Sequence, residues 1–521
     1  MSILGESLTL NREVFTWCVR QAAKWLKKEP ERAALWCSLA AHTATLYGCS
    51  QLASPELESH LARLGKRLAE PRRHTQQSGG RHWLHVFSMV YPIGGHTALA
   101  ERWINWDESS DRHSAIFTSQ EISDIAPRLA EAIHRKYGWV KSLSNPASLL
   151  ARAQRLRDIA WQEADVVVLH THMWDVLPTL AFCLPGGPPI ILLNHADHCF
   201  WVGGSVSDLT VSIRKSGRLL AEEFRGLKTH AELPVPLPDF LVSPDLEQAK
   251  YHKKTQALTR LGLNPSWTIF LTIGSAFKYE PTEDANFFAA AQAILERLPE
   301  SCLIAVGPTP KNEHWQALFD NTRGRAIAVG QQIDLRPFHL AADIYLEGFP
   351  FGSLTALLEA GLAGLASVRA PQVCPAPYVA DGIALEVAPR PIDSQAYINL
   401  AIQLAENKAS RSALAAALSA SIVRYHCGPG WLAHLNKLKS EIPVAHRGYT
   451  PFSAKTLDTR RNTFWHRLLM QAASENPVNY VFAEAEHHNL RPALDSKLWK
   501  AIQRAKSYPV AGVKINTQGR E

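Results

Sequence analysis

LEGFPFGSLTALLEAG, Leu346 to Gly361, is the stretch whose reading decides the fold. Asp343–Glu347 (DIYLE) is short and apolar, as a strand buried in a parallel sheet should be. Pro350 and Gly352 punctuate a turn. Ser353 or Thr355 can cap the helix that follows, and Glu359 falls on its second turn. A helix N-terminus presents unpaired N–H groups and the positive end of a dipole, which suit a phosphate. A carboxylate one turn further on can accept hydrogen bonds from ribose hydroxyls. The segment therefore reads as a nucleotide-diphosphate site, or else as an ordinary strand–turn–helix with a capping residue.

Similar strands lie on both sides of it. WTIFLTIGS (267–275), SCLIAVGP (301–308), RAIAVGQ (325–331) and LASVRAP (365–371) are strands, with helices such as DANFFAAAQAILERL between them. An earlier series runs from HWLHVFSMV (82–90) through SAIFTS, DVVVLHTH and PIILLNHA to DLTVSI, near residue 213. This alternation predicts an α/β fold with two tandem Rossmann-like domains facing a cleft. Ligands should bind at the carboxyl ends of the strands. PVPLPDF (234–240) reads as the connector.

Flanking these domains, residues 1 to about 70 show helical spacing throughout, as in Val14, Trp17, Cys18, Ala22 and Trp25. A polar Gly-containing linker, PRRHTQQSGGR (71–81), follows them. The expected organisation is 1–78 a helical appendage, 79–245 a first Rossmann-like domain, 246–440 a second and 441–521 a basic, partly helical extension. A chain of 521 residues is long enough for two large cores. No apolar run approaches a membrane span, and the N-terminus lacks a signal peptide's pattern. Eight scattered cysteines without a CxxC pair fit a reducing compartment, so a cytoplasmic location is expected. Residues 441–521 hold 12 Lys/Arg against 7 Asp/Glu, where a peripheral membrane contact is conceivable. A nucleic-acid partner is not expected, because no basic–aromatic alternation accompanies this charge.

A second loop belongs with the first. TIGSAFKYEP (272–281) ends the opening strand of the second domain. Gly274 and Ser275 let a ligand approach the backbone, and Lys278 brings a point charge able to neutralise a pyrophosphate. Neighbouring strands would aim both loops at one crevice.

Together these residues resemble the nucleotide-sugar-binding half of GT-B glycosyltransferases. The likeness is greatest to the family of O-linked GlcNAc transferases and bacterial adhesin N-glucosyltransferases. That family carries an acid, a proline, a small-residue loop with Thr, and a second acid twelve positions after the first. Glu347, Pro350, Gly352, Ser353, Thr355 and Glu359 fill those places. Lys278-Tyr279-Glu280-Pro281 is similar to its lysine loop. The resemblance implies that Lys278 and the Ser353–Thr355 turn hold the diphosphate and Glu359 the ribose. The donor-binding set is then Gly274, Ser275, Lys278, Gln331, Gly352, Ser353, Leu354, Thr355 and Glu359. The chain departs from the family in having Glu where Asp is usual at 347 and 359, and apolar Leu354 in the loop. Its basic helix is weak, with only Arg336 and His339, and its helical N-terminus is short. Retaining GT-B enzymes carry two glutamates eight apart. Thr355 stands eight beyond Glu347 and Phe351 eight before Glu359, so inversion is expected.

On the acceptor side, YPIGGHT (91–97) places Gly94, Gly95 and His96 in a strand-to-helix turn. LNHADHCFWVGG (193–204) adds His195, Asp197 and His198 beside aromatics. His96 or Asp197 is the candidate base, with Lys278 the third catalytic candidate. His170 and His172 with His195, Asp197 and His198 also admit a metal reading, although no metalloprotease or deaminase spacing supports it. Without a DxD motif, lysine and helix-dipole clamping would replace a metal, so no metal and no cofactor are expected. The expected function is transfer of a hexose or N-acetylhexosamine from a nucleotide-diphosphate sugar, a UDP-sugar being favoured, to a hydroxyl or amide of a glycan or protein. The alternatives are a nucleotide-sugar epimerase of the same fold and a non-catalytic nucleotide-sugar-binding protein.

Overall fold

In a computed structural model of the chain, the described residues are 3–71, 80–91, 95–144, 147–238, 254–256, 259, 264, 266–374, 378–458, 461, 466, 476–490 and 495–504. They fold as two compact units. Met1–Ile213, Gly217–Leu233 and Leu438–Glu521 make the first, and Arg214–Ser216 with Pro234–Lys437 the second.

The first unit is built on seven parallel strands: β1 (His82–Phe87), β2 (Arg112–Phe117), β3 (Val140–Ser142), β4 (Val166–His170), β5 (Ile190–Asn194), β6 (Leu209–Ser212) and β7 (His230–Glu232). Their order is β3-β2-β1-β4-β5-β6-β7. The central strands are apolar runs such as VVVLH and IILLN, buried along their whole length, as a sheet covered on both faces requires. The opening strand stops at Phe87, three residues short of the sequence reading. Strands β3 and β7 escaped that reading, being three-residue edge strands whose composition is half polar or worse.

The expected separate appendage is instead part of this unit. Helices Ile3–Trp25, Pro30–Tyr47 and Pro55–Gly65 bury Trp17, Trp36, Leu57 and Leu61 in one core with Leu84, Val167 and Leu192 of the sheet. Pro477–His487 and Ser496–Arg504 join it through Val478, Val481 and Leu498. Phe482 stacks on Trp17 at 5.7 Å, and Arg20 pairs with Asp495 at 2.9 Å. Merging follows from the apolar area: helix Pro30–Tyr47 is buried on most of its sides, and a free-standing bundle would leave part of that surface in water. No described helix is long and apolar enough to cross a membrane. Much of the basic extension, including 505–521, lies outside the described residues. All eight cysteines are buried, and none forms a disulfide.

Arg157 welds the N-terminal helices to the sheet layer. From helix Leu149–Glu163 its fully buried guanidinium donates to the carbonyls of Gly65, Leu180 and Ala181, at 2.7, 3.1 and 2.7 Å. These oxygens lie at the C-terminal ends of helices Pro55–Gly65 and Leu177–Ala181, where carbonyls lack intrahelical partners.

The second unit has five parallel strands: β8 (Thr268–Ile273), β9 (Ser301–Val306), β10 (Ala326–Ala328), β11 (Ile344–Leu346) and β12 (Ala366–Val368). The order β10-β9-β8-β11-β12 puts the first strand in the middle. The chain winds outward to one side, then returns to pair β11 with β8 through Ile344↔Phe270 and Tyr345↔Leu271. The crevice above β8 and β11 is the topological switch point of the sheet, where ligands bind in such folds. The helix Lys408–His426 stops at Cys427, and Gly428 (φ +40°) starts the helix Gly428–Glu441, which leads the chain back to the first unit.

Replacing Arg157 by Met should leave several buried carbonyls without a donor. We expect a loss of about 2–4 kcal/mol of stability, read by urea denaturation.

Candidate functional site

Both loops singled out in the sequence rise from the switch point of the second unit. At the end of β8 the Gly274 N–H bonds the Val306 carbonyl at 3.0 Å, and the chain enters the short 3-10 turn Ala276–Tyr279. Tyr279 points into the core and shares a hydrogen bond with Thr272 at 3.0 Å. Its ring fills the space a side chain at 348 would need, since a Cβ on Gly348 would lie 2.4 Å from it. Anchoring Tyr279 turns its neighbour Lys278 to the β11 loop. There Lys278 Nζ donates to Ser353 Oγ at 3.0 Å, and the Phe351 N–H donates back to the Lys278 carbonyl at 3.1 Å. Burial lowers the Lys278 pKa to about 8, with Arg214 adding to the effect and Glu347 opposing it.

Ser353 is the N-cap of helix Leu354–Leu362, in extended conformation, yet its hydroxyl caps nothing. It accepts from Lys278 instead. The first-turn N–H groups are therefore not met by a side-chain cap, and the positive end of the helix faces the same point as the lysine ammonium. Leu354 and Thr355 are half-exposed in this first turn, as is Glu359 in the second. Gly274 is close by: a Cβ there would lie 3.2 Å from Ser353 Oγ. Ser275 is exposed on the turn above. Gln331 is exposed beyond β10, and no hydrogen bond joins it to Lys278 or Ser353 among the described residues.

Glu347 has a different task. Its side chain is 1% exposed and accepts the N–H groups of Ala370 and Ala380 at 2.7 and 2.8 Å. Burial raises its pKa, while those two N–H groups and Arg369 pull the other way. Gly352 is required beside it, because a Cβ would approach Oε1 to 2.2 Å. The carboxylate thus braces the loops that follow β11 and β12, in a turn that includes a cis Phe349–Pro350 bond.

Sequence reasoning missed Arg214. It donates to the Val379 carbonyl at 3.0 Å and faces Asp381 at 3.7 Å, and its charge acts on Lys278. The one available signal was its place at the end of the strand DLTVSI, but nothing there showed that it would count with the second unit.

In the first unit, His96 lies just inside helix Gly95–Trp106 and donates from Nε2 to the His170 carbonyl at 2.8 Å. That bond leaves Nδ1 with the lone pair. Burial holds the ring well below its usual pKa, helped by His195 and His172. His195, beyond β5, lies tilted against His96 with centroids 4.4 Å apart and donates from Nδ1 to the Leu193 carbonyl at 3.2 Å. Asp197 is 2% exposed and pairs with His198 at 3.4 Å. Burial opposes the charge on His198, but Cys199 and Asp197 outweigh it and lift the pKa to about 9. The geometry therefore leaves His96 as a neutral imidazole with a lone pair and engages Asp197 as the partner of a cation. Gly95 is exposed, and Gly94 lies outside the described residues. His170 is turned into the core and bonds His85 at 2.9 Å. No cluster of metal-ligating side chains forms among the described residues.

No protein-family model matches the chain, and no curated protein is similar to it in sequence. Among solved structures, a mutant O-GlcNAc transferase from Thermobaculum terrenum is similar at 14% identity and a TM-score of 0.48, over 89% of this chain and 84% of that one. Anabaena HepE in complex with UDP-glucose is similar at 14% identity and a TM-score of 0.48, over 69% of this chain and 100% of that one. Sucrose-phosphate synthase from Thermosynechococcus elongatus is similar at 13% identity and a TM-score of 0.45, over 69% and 99%.

The brace is open to test without any ligand. Glu347→Gln keeps the shape but turns an amide NH2 toward one of two buried N–H groups. It should cost about 1–3 kcal/mol in thermal or urea unfolding of the free protein.

Proposed function

We propose that the chain is a glycosyltransferase that uses a nucleotide-diphosphate sugar, a UDP-sugar being the favoured donor. One observation carries this reading. Lys278 Nζ stands 3.0 Å from Ser353 Oγ at a helix N-terminus with no side-chain cap, on the switch point of a parallel sheet. A pyrophosphate meets there both an ammonium and free N–H groups, without a bridging cation.

In the proposed reaction the diphosphate oxygens take the N–H groups of the Leu354–Thr355 turn and the Lys278 ammonium. Glu359, one turn along, accepts from the ribose hydroxyls. Charge grows on the diphosphate as the glycosidic C–O bond breaks, and both positive groups are already in place when it does. The acceptor, a hydroxyl or amide of a glycan or protein, attacks the anomeric carbon and gives up its proton. We assign His96 Nδ1 as the base, with His195 beside it on the acceptor side together with Asp197 and His198. The reading favours a single displacement with inversion, because Glu347 is taken up by two backbone N–H groups and is not free to act as a nucleophile.

A thermal-shift panel of nucleotide sugars tests the assignment. A donor at a hundredfold excess over Kd should add about 2.7 kcal/mol of stability. Lys278→Met should weaken that donor tenfold or more, because a charge-assisted contact is worth about 1.5–3 kcal/mol. A panel in which no nucleotide sugar raises the melting temperature would refute the reading.

The pH dependence has a definite sign. The free enzyme holds Lys278 protonated below about pH 8. Donor affinity should be flat below that point and fall as pH rises through it, by up to tenfold per unit. Calorimetric titration at several pH values checks this, and Lys278→Met should abolish the alkaline limb.

A further inference from the structure

Three histidines of the first unit climb one face of its sheet. His113 is the second residue of β2, His85 the fourth of β1 and His170 the last of β4. Register sets His113 level with Trp83 and His170 level with Phe87. Side chains alternate along a strand, so Trp83, His85 and Phe87 share a face and the imidazoles rise along it two residues per strand. All three are fully buried. His85 Nδ1 lies 2.9 Å from His170 Nε2, and His85 Nε2 lies 2.9 Å from His113 Nδ1. His113 Nε2 lies 3.2 Å from Asp107 Oδ2, in the turn before β2. At this end Lys439 reaches Asp107 at 2.7 Å and Asp111 at 3.0 Å.

The carboxylate sets the direction of every bond. Burial opposes its charge, but His113, Lys439 and Ser109 hold its pKa well below the usual carboxylate range. An ionised Asp107 can only accept, so His113 carries its proton on Nε2 and accepts at Nδ1. His85 must then donate from Nε2, and His170 from its own Nε2. The chain ends in a lone pair on His170 Nδ1, a fully buried atom with no hydrogen-bond partner among the described residues. That atom sits at the carboxyl end of β4, and the ring centroids of His170 and His96 are 6.0 Å apart. The groups acting on the chain are His96 and His195 at His170, His82 at His85, and Asp111 and Lys439 at His113.

We propose that Asp107, His113, His85 and His170 form a proton-transfer chain, whose accepting atom is His170 Nδ1 and whose far end is the Asp107 carboxylate. A proton arriving at His170 Nδ1 releases the one on Nε2 to His85 Nδ1. His85 passes its Nε2 proton to His113 Nδ1, which leaves His113 an imidazolium paired through Nε2 with the Asp107 carboxylate. One proton enters, the charge comes to rest as an imidazolium on His113 beside the Asp107 carboxylate, and the tautomers of His170 and His85 invert. The carboxyl ends of the strands are thereby coupled to the opposite, amino ends, where Asp107 holds Lys439. This inference does not rest on glycosyl transfer.

The test reads tautomers by long-range proton–nitrogen spectra of the full chain labelled with nitrogen-15 histidine, near neutral pH and without a donor. In the wild type, all three rings should carry the proton on Nε2. Asp107→Asn should invert all of them. Asp107 Oδ1 takes Ser109 N–H at 3.0 Å, Ser109 O–H at 2.6 Å and Lys439 at 2.8 Å, while Oδ2 faces His113 and shares Lys439 at 2.7 Å, a contact the amide NH2 gives up. The amide oxygen keeps that place and turns its NH2 to His113 Nε2, so the reversed order runs to a proton on His170 Nδ1. A wild type with His170 protonated on Nδ1 overturns the proposal. So does an Asp107→Asn protein in which His170 keeps its Nε2 proton. Acidifying the wild type serves if that variant does not fold: a shared midpoint for the three rings supports the chain, and separate midpoints overturn it.

Discussion

The pairing of β11 with β8 is the constraint on which the candidate site depends. These strands meet through Ile344↔Phe270 and Tyr345↔Leu271, although two other strands and their crossovers separate them along the chain. The meeting brings the end of one strand, with Lys278, against the end of the other, with the Ser353 turn. Crossovers leave β8 toward β9 on one side and return to β11 on the other, so the crevice is a consequence of topology. Shifting β11 elsewhere in the sheet would leave a lysine on one turn and a helix N-terminus on another.

Electrostatics at that crevice is arranged by contrast between two acids and two cations. Glu347 is buried and satisfied by backbone N–H groups, which turns it into a strut for the loops beyond β11 and β12. Glu359 is half-exposed on the helix surface. Lys278 and Arg214 repel one another, and burial adds to the cost of charging the lysine. An anion placed beside Lys278 would relieve both penalties at once.

The first unit uses buried histidines where a sheet usually holds aliphatic residues. Each of the three satisfies the next, so the cost of sinking polar rings into the core is limited to one terminal lone pair. The carboxylate at the far end chooses which terminal atom is left bare. The opposite face of the same sheet, through Leu84, Val167 and Leu192, receives the N-terminal and C-terminal helices, so one core ties together segments that lie at opposite ends of the chain.

Much of this architecture was legible in the chain. Apolar runs of strand length, Gly- and Pro-marked turns and helical periodicity depend on neighbours a few residues apart, and these marked nearly every central strand and the loops at 274–278 and 350–359. The β3 and β7 edge strands were not legible, because three polar-leaning residues carry no local pattern. The role of Glu347 was half legible: its spacing argued against a catalytic pair, but its two N–H partners lie 23 and 33 residues further on. Arg214 and the histidine chain were not legible at all. HWLHVF and RHSAIF show imidazoles on strands, yet which rings touch depends on strand order and register. The sequence by itself determined the elements, their class and the chemistry at the strand ends, since those follow from local sterics and periodicity. Only the tertiary structure decided which ends meet, which carboxylate is buried and which histidines bond, since those follow from long-range pairing that no short window contains.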